Sequence, residues 1–180
     1  MTEDLPSSEY RAARTRLESL GAAIENVQQI LQLLAELPAQ RAAHRDEYVV
    51  LAQDGPITWV NHESLAWSLG ESIRQALSRR RTLRADPVLW SALEAVATDP
   101  AVGKGREPFV MLLGQYGGPD RASVLFRLLD DREVVGHALY ALRLLGVPGA
   151  EQRARELERS QRAWIRKEAR RYLEKVAPPA

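Results

Sequence analysis

Residues 119–146 read PDRASVLFRLLDDREVVGHALYALRLLG, and residues 150–176 read AEQRARELERSQRAWIRKEARRYLEKV. A shift of 31 residues places Val134 on Ile165 and Ala138 on Ala169. Each stretch has the pattern of a helix, a short turn and a second helix. One such unit cannot bury its apolar face alone and has to stack on a neighbour. The pair therefore predicts an all-α chain, organised as a short α-solenoid of helical hairpins.

The same pattern extends towards the N-terminus from these two stretches. Pro87 lies 32 residues before Pro119, and Asp86 precedes it as a helix cap, with the proline at the first helical position. Asp131 and Ser160 are predicted to cap the second helices of the later hairpins. The region 86–180 is thus predicted to hold three hairpins, at 86–117, 119–146 and 149–176.

The region 1–85 has a different pattern. Apolar residues spaced by three and four positions predict one long helix over 9–37, which Pro38 would end. Its apolar side could pack on its own domain or form a coiled-coil dimer, and we favour packing because the pattern is short for an autonomous coiled coil. Residues 39–80 are predicted to be a degenerate fourth hairpin.

Residues 41–60 allow two interpretations. They contain a possible helix over 41–53, but YVVLAQDGPITWV also fits a β-hairpin around Asp54-Gly55. The helix is favoured because every other segment is helical. Asn61 is then a good N-cap for the next helix, with Glu63 in its first turn.

Composition limits the function. The chain has 180 residues, a net charge of +1 and no cysteine, which excludes disulfides, thiol catalysis and cysteine-bound zinc. The N-terminus, MTEDLPSSEY, is acidic and polar, unlike a signal peptide, and no apolar run reaches the ~18 residues of a membrane span. We expect a cytoplasmic protein with no membrane or nucleic-acid partner.

No motif for catalysis or metal binding stands out. Gly103-Lys104-Gly105 lacks the strand, the longer glycine frame and the Ser or Thr of a phosphate loop. The three histidines are far apart and lack the spacing of metal ligands. We therefore expect a protein that is not an enzyme and has no cofactor or metal.

The cluster of arginines between Arg74 and Arg84 also has two interpretations. It could bind phosphate or an acidic partner, or its arginines could complement the negative end of a helix dipole. The second interpretation is favoured, because no similar basic run recurs at the repeat spacing before the last helix.

Candidate partner-binding residues lie opposite the predicted buried side of the 119–146 hairpin. Tyrosine and arginine dominate interface energetics, and neither Tyr140 nor Arg143 is predicted to be part of the core, so truncating both should leave the fold intact. Trp67 is a separate candidate: it packs beneath the N-terminal helix, which we favour, or anchors an interface. The proposed partner-binding set is His137, Tyr140, Arg143, Arg171, Met111 and Trp67.

The run DDREVVGHALYALRLLG resembles the second half of a HEAT-type repeat, and so does AWIRKEARRYL. The resemblance covers 86–176 and is to the short HEAT-like variety. It implies that the second helices line a concave surface, where Tyr140 and Arg143 would lie.

The runs WVNHESLAWSLG (59–70) and GKGREPFVMLLG (103–114) are similar to those of some cytoplasmic immunity proteins of bacterial polymorphic toxin systems. This resemblance implies a protein that binds and neutralises a cognate toxin. The alternatives are a HEAT-like nucleic-acid or repair protein and a lyase-type maturation factor. The chain could act as a monomer or as a homodimer.

Overall fold

A computed structural model describes residues 6–45 and 61–176, and within these ranges the chain is all-α, with no strand. Short 3₁₀ helices at Arg81–Ala85, Pro100–Arg106 and Pro119–Arg121 lie between some of the α-helices. The α-helices are α1 Ser8–Ala23, α2 Val27–Ala35, α3 Leu37–His44, α4 His62–Arg79, α5 Pro87–Thr98, α6 Glu107–Tyr116, α7 Ala122–Leu128, α8 Val135–Leu145, α9 Glu151–Leu157 and α10 Ala163–Val176.

The chain divides into two compact units. The first comprises the described residues up to Ala92 together with Asp99–Pro108, and the second comprises Leu93–Thr98 and the described residues from Phe109 onwards. The predicted domain boundary after Ala85 does not coincide with this division, because the first predicted hairpin contributes residues to both units.

In the first unit, α4 packs along α1. The Tyr10 and Ser64 hydroxyls are 2.5 Å apart and hydrogen-bonded, and Ser72 donates to the backbone carbonyl of Leu17. Tyr10, Leu17 and Ser72 are buried. Two neutral hydrogen bonds therefore fix one helix against the other.

The prediction of one long helix over 9–37 is wrong. Ile24 has an extended conformation, and Asn26 begins α2 with a capping box in which Asn26 and Gln29 bond to each other's backbone. The capping box satisfies backbone donors at a new helix start, so it favours a break that the apolar periodicity does not show. Pro38 does not end a helix but lies in the first turn of α3, where its missing N–H costs nothing.

The helix starts predicted at Asn61 and Asp86 are confirmed. The Asn61 side chain accepts from the Glu63 N–H at 3.0 Å, and that of Asp86 accepts from the Val88 N–H at 2.8 Å. Of the segment 41–60, α3 accounts for the residues up to His44. The choice between helix and hairpin falls on 46–60, outside the described residues.

In the second unit, the stretches 119–146 and 149–176 each contain two α-helices joined by a turn, as predicted. α8 packs against α7 and α10, and α10 also packs against α9. Ala138 and Ala169, which the 31-residue shift aligned, are both fully buried. Gly114 of α6 approaches Ala141 of α8 so closely that a Cβ on Gly114 would lie 2.4 Å from the Ala141 Cα.

Neither Asp131 nor Ser160 is a helix cap in the predicted sense. α8 begins at Val135, and the Asp131 side chain accepts from the Glu133 N–H at 3.0 Å, inside the preceding turn. Ser160 similarly accepts from the Arg162 N–H at 3.3 Å before α10 begins. Both residues shape the turn, because each helix begins a few residues later than predicted.

Candidate protein-interaction surface

The neighbouring helices α8 and α10 bring several of the predicted partner-binding residues together. On α8, the Arg143 guanidinium carbon lies 5.2 Å from the centroid of the Tyr140 ring. On α10, Glu168 forms an ion pair with Arg143 and lies 3.8 Å from Arg171. Tyr140, Arg143 and Arg171 thus belong to one connected group.

Glu168 is the central charge of this group, and the sequence did not point to it. It is buried, at 5% exposure, and Arg143 and Arg171 lie on either side of its carboxylate. Contrary to the prediction that Tyr140 and Arg143 can both be truncated without cost to the fold, this ion pair leads us to expect a loss of stability on truncation of Arg143. Its loss would leave a buried carboxylate short of a partner.

Trp164 is a second residue that the sequence did not single out. It is 43% exposed, and its ring lies against that of His137 with centroids 4.8 Å apart. The edge of the indole also covers Gly136, where a Cβ would come within 2.2 Å of it. An aromatic side chain that is held on one side and open on the other has the character of an interface anchor.

A pattern in the sequence could have identified Trp164. Trp164, Glu168 and Arg171 are separated by four and three residues, so they share one side of α10. Gly136, placed inside a helix where glycine is unfavourable, marks the close approach of another side chain. Only the packing of α8 on α10 shows which side chain that is.

His137 supports the indole and has no features of a catalytic group. Burial, and secondarily the positive charge of Arg162, lower the pKa of His137 to about 4. The imidazole is therefore neutral at neutral pH. A neutral ring beside Trp164 is suited to packing, and it does not repel the arginines nearby.

The other two predicted partner-binding residues are not shown to be part of this group. Met111 is half-buried on α6, and its role in partner binding stays a prediction. Trp67, on α4 in the first unit, is 44% exposed. This exposure contradicts the interpretation that Trp67 packs beneath the N-terminal helix and leaves it as a separate surface residue.

The loop at Gly103 binds a carboxylate of the chain itself. The Lys104 N–H donates to Glu63 at 3.0 Å, and the Glu63 carboxylate fills the space beside Gly103 that a Cβ would occupy. Arg106 is buried and donates to the carbonyl of Gly103 at 2.8 Å. The loop is thus a structural contact to α4, and the place of an anion is taken by Glu63.

Two of the arginines between Arg74 and Arg84 bond to carbonyls at helix ends, which agrees with the favoured interpretation for those two. Arg84 donates to the Leu77 carbonyl at 2.9 Å, and Arg80 donates to that of Ala22 at 3.4 Å. These carbonyls lie in the last turns of α4 and α1, where the helix dipole is negative. Arg74 forms an ion pair with Glu71.

Comparison with known protein families, with curated proteins and with solved structures found no match to this chain. No helix in the described ranges is long and apolar enough to cross a membrane. Among residues 6–45 and 61–176, no group of three or more potential ligands is placed to hold a metal ion.

Proposed function

We propose that this chain is a protein-binding module without catalytic activity, built as a short solenoid of HEAT-like hairpins. Its working surface is the α8–α10 face, which we define as His137, Tyr140, Arg143, Trp164 and Arg171. The observation that carries the proposal is Trp164, an exposed tryptophan that rests on Gly136 and His137. Tryptophan, tyrosine and arginine are the residues that dominate binding energy at interfaces.

Preorganisation of this face supports the proposal further. Arg143 contacts both Tyr140 and Glu168, so its side chain is already ordered before any partner binds. Ordering a flexible side chain costs about 0.5–1.5 kcal/mol on association, and a surface that is ordered in advance avoids that cost. Such a face is suited to tight binding by a few residues.

The sharper form of the proposal is a bacterial immunity protein that acts in the cytoplasm and neutralises a cognate toxin. Its support is the resemblance in residues 59–70 and 103–114, together with a surface of the kind that protein partners use. Such a toxin is expected to be encoded by the neighbouring open reading frame, which provides the partner for a test.

The test is titration calorimetry of this chain against the toxin domain encoded next to it. A central anchor contributes at least about 2 kcal/mol, so Trp164→Ala should weaken binding by more than about tenfold. Trp67→Ala is the matched control, since it removes an equally exposed tryptophan from the other unit, and should change affinity less than about twofold. Thermal melts followed by circular dichroism check that both variants are folded.

Two results contradict the proposal in different ways. If no complex with the toxin domain forms, the immunity role is excluded. If the complex forms and Trp164→Ala changes neither its affinity nor the thermal melt, the α8–α10 face is not the working surface. The interface then lies elsewhere on the chain.

Nucleic-acid binding is the second candidate, and one observation favours it: α10 carries five basic residues and two acidic ones. Binding through phosphates weakens steeply with salt. Retention on heparin and a strong salt dependence of oligonucleotide binding would favour this candidate over a protein partner.

A further inference from the structure

We infer that the α8–α10 face, together with Lys167 of α10, binds an acidic protein segment. An apolar side chain of the segment lies on Trp164, and its carboxylates pair with Lys167 and Arg171. This inference rests on the proposed binding function and deepens it by naming the chemistry of the partner. It follows from the packing of Trp164 on Gly136 and His137, from the positive charge of α10, and from the arginines that already bond to other groups of the chain.

The apolar contact is fixed by the packing of Trp164. A Cβ on Gly136 would lie 2.2 Å from one indole atom, and one Cγ of Ile165 is within 2.9 Å of the same Cβ position. The glycine thus provides the space for the ring, and His137 supports it from the side. The exposed part of the indole, 43% of the residue's surface, presents a rigid apolar platform to a partner.

The charge beside this platform is positive. Lys167 and Arg171 follow Trp164 by three and seven residues, so both lie on its side of α10, and both are exposed. Glu168, the acidic residue between them, is buried and engaged by Arg143. The whole chain has a net charge of only +1, whereas α10 has five basic and two acidic residues, so the excess positive charge is local.

Two further arginines of α10, Arg166 and Arg170, lie on other sides of the helix than Trp164. Arg166 donates to the carbonyls of Ser160 and Gln161, at 2.7 and 3.0 Å. Arg170 approaches Glu158 at 3.8 Å. Nucleic acids are held by many phosphate contacts at once, whereas a small group of cations beside one aromatic platform matches a short acidic peptide.

The experiment selects peptides from a displayed library of random 12-residue sequences. The full chain is the bait, and peptides that also bind Trp164→Ala are removed. The recovered peptides should contain at least twice the Asp and Glu content of the input library, with a conserved apolar residue. Fluorescence anisotropy in 0.15 M salt then measures the affinity of the most frequent peptide.

Two neighbouring arginines provide a matched pair of variants. Arg171→Gln and Arg170→Gln remove the same charge from adjacent exposed positions, and each arginine lies 3.8 Å from a glutamate. Arg171→Gln and Lys167→Gln should each lower peptide affinity by at least about fivefold, whereas Arg170→Gln should change it less than about twofold. Exposed positions are chosen so that these variants keep the fold, which their thermal melts check.

Several outcomes overturn the inference. The recovered peptides could be neutral or basic, no peptide could be recovered, or Arg170→Gln could weaken binding as much as Arg171→Gln. Tighter binding of a dT12 oligonucleotide than of any peptide, with the same sensitivity to Arg171→Gln, would assign the face to nucleic acid. If the toxin domain binds through Trp164 but the peptides are not acidic, only this inference fails and the proposed function stands.

Discussion

The main helix contact of each unit, α1 with α4 in the first and α8 with α10 in the second, is joined by different chemistry. In the first unit, a neutral hydrogen bond links Tyr10 to Ser64, 54 residues further along the chain. In the second, an ion pair links Arg143 to Glu168, only 25 residues later. The ion pair also borders the exposed surface, so residues that stabilise the second unit are the ones that would meet a partner there.

The two exposed tryptophans differ in the charges that surround them. Trp67 and Trp164 are 44% and 43% exposed, so exposure alone does not distinguish them. Along α4 from Trp67, an acidic and a basic residue, Glu71 and Arg74, neutralise each other. Along α10 from Trp164, the exposed charges Lys167 and Arg171 are positive, and Glu168 between them is buried. Local charge therefore identifies Trp164 as the better candidate for an interface.

The largest effect is expected from a charge placed in the core of the second unit. Ala138 is fully buried on α8, so Ala138→Asp would bury a carboxylate with no partner. We expect a loss of about 4 kcal/mol or more in the free energy of unfolding. Urea denaturation followed by circular dichroism measures it.

The control for this variant is Ala95→Asp, the same substitution at an exposed position of α5. It should change stability by no more than about 0.5 kcal/mol. Equal stability of Ala138→Asp and the wild type would show that the α8 register is incorrect.

The second unit was the easier one to predict from the sequence, for a physical reason. Its helices contact close sequence neighbours, and the repeated apolar spacing of 119–146 and 150–176 reports those contacts directly. The first unit depends on a pairing of α1 with α4 that no local pattern encodes. The prediction of one helix over 9–37 in this unit failed at Asn26, because the capping box there begins a new helix within a continuous apolar pattern.

The candidate surface was predicted only in part. Tyr140, Arg143 and Arg171 were found because residue type and repeat spacing point to them. Trp164 and Glu168 were missed, since their roles depend on which α8 residue each one meets. Burial of an acidic residue within a basic helix is a property of packing, and composition cannot show it.

The second prediction tests the ion pair that distinguishes the units. Arg143→Leu would leave the Glu168 carboxylate buried, with Arg171 at 3.8 Å from it. We expect a loss of about 2–3 kcal/mol, below the usual cost of a broken buried pair because Arg143 is partly exposed. The double variant Arg143→Leu with Glu168→Leu should recover most of that loss, and urea denaturation of all three variants measures the coupling.

The matched variant in the first unit is Tyr10→Phe. It removes a neutral hydrogen bond, but the Ser64 hydroxyl still bonds to the Asn61 carbonyl at 2.8 Å. We expect it to cost about 1 kcal/mol or less. A larger cost for Tyr10→Phe than for Arg143→Leu would reverse the comparison and make the neutral link the stronger one.

The last prediction concerns pH and the second unit alone. Burial lowers the pKa of His137 from 6.5 to about 4, so the unfolded chain takes up a proton at a higher pH than the folded chain does. Its stabilising contribution is complete above about pH 6.5, falls as the pH is lowered towards 4, and changes little below that. Between pH 7 and pH 5 the wild type should lose about 1–2 kcal/mol more than His137→Gln, which does not titrate. Urea denaturation of both proteins at the two pH values measures this difference and cancels the carboxylates they share. Equal losses would mean that the imidazole is protonated as readily in the folded chain, and that Trp164 rests on a cation instead of a neutral ring.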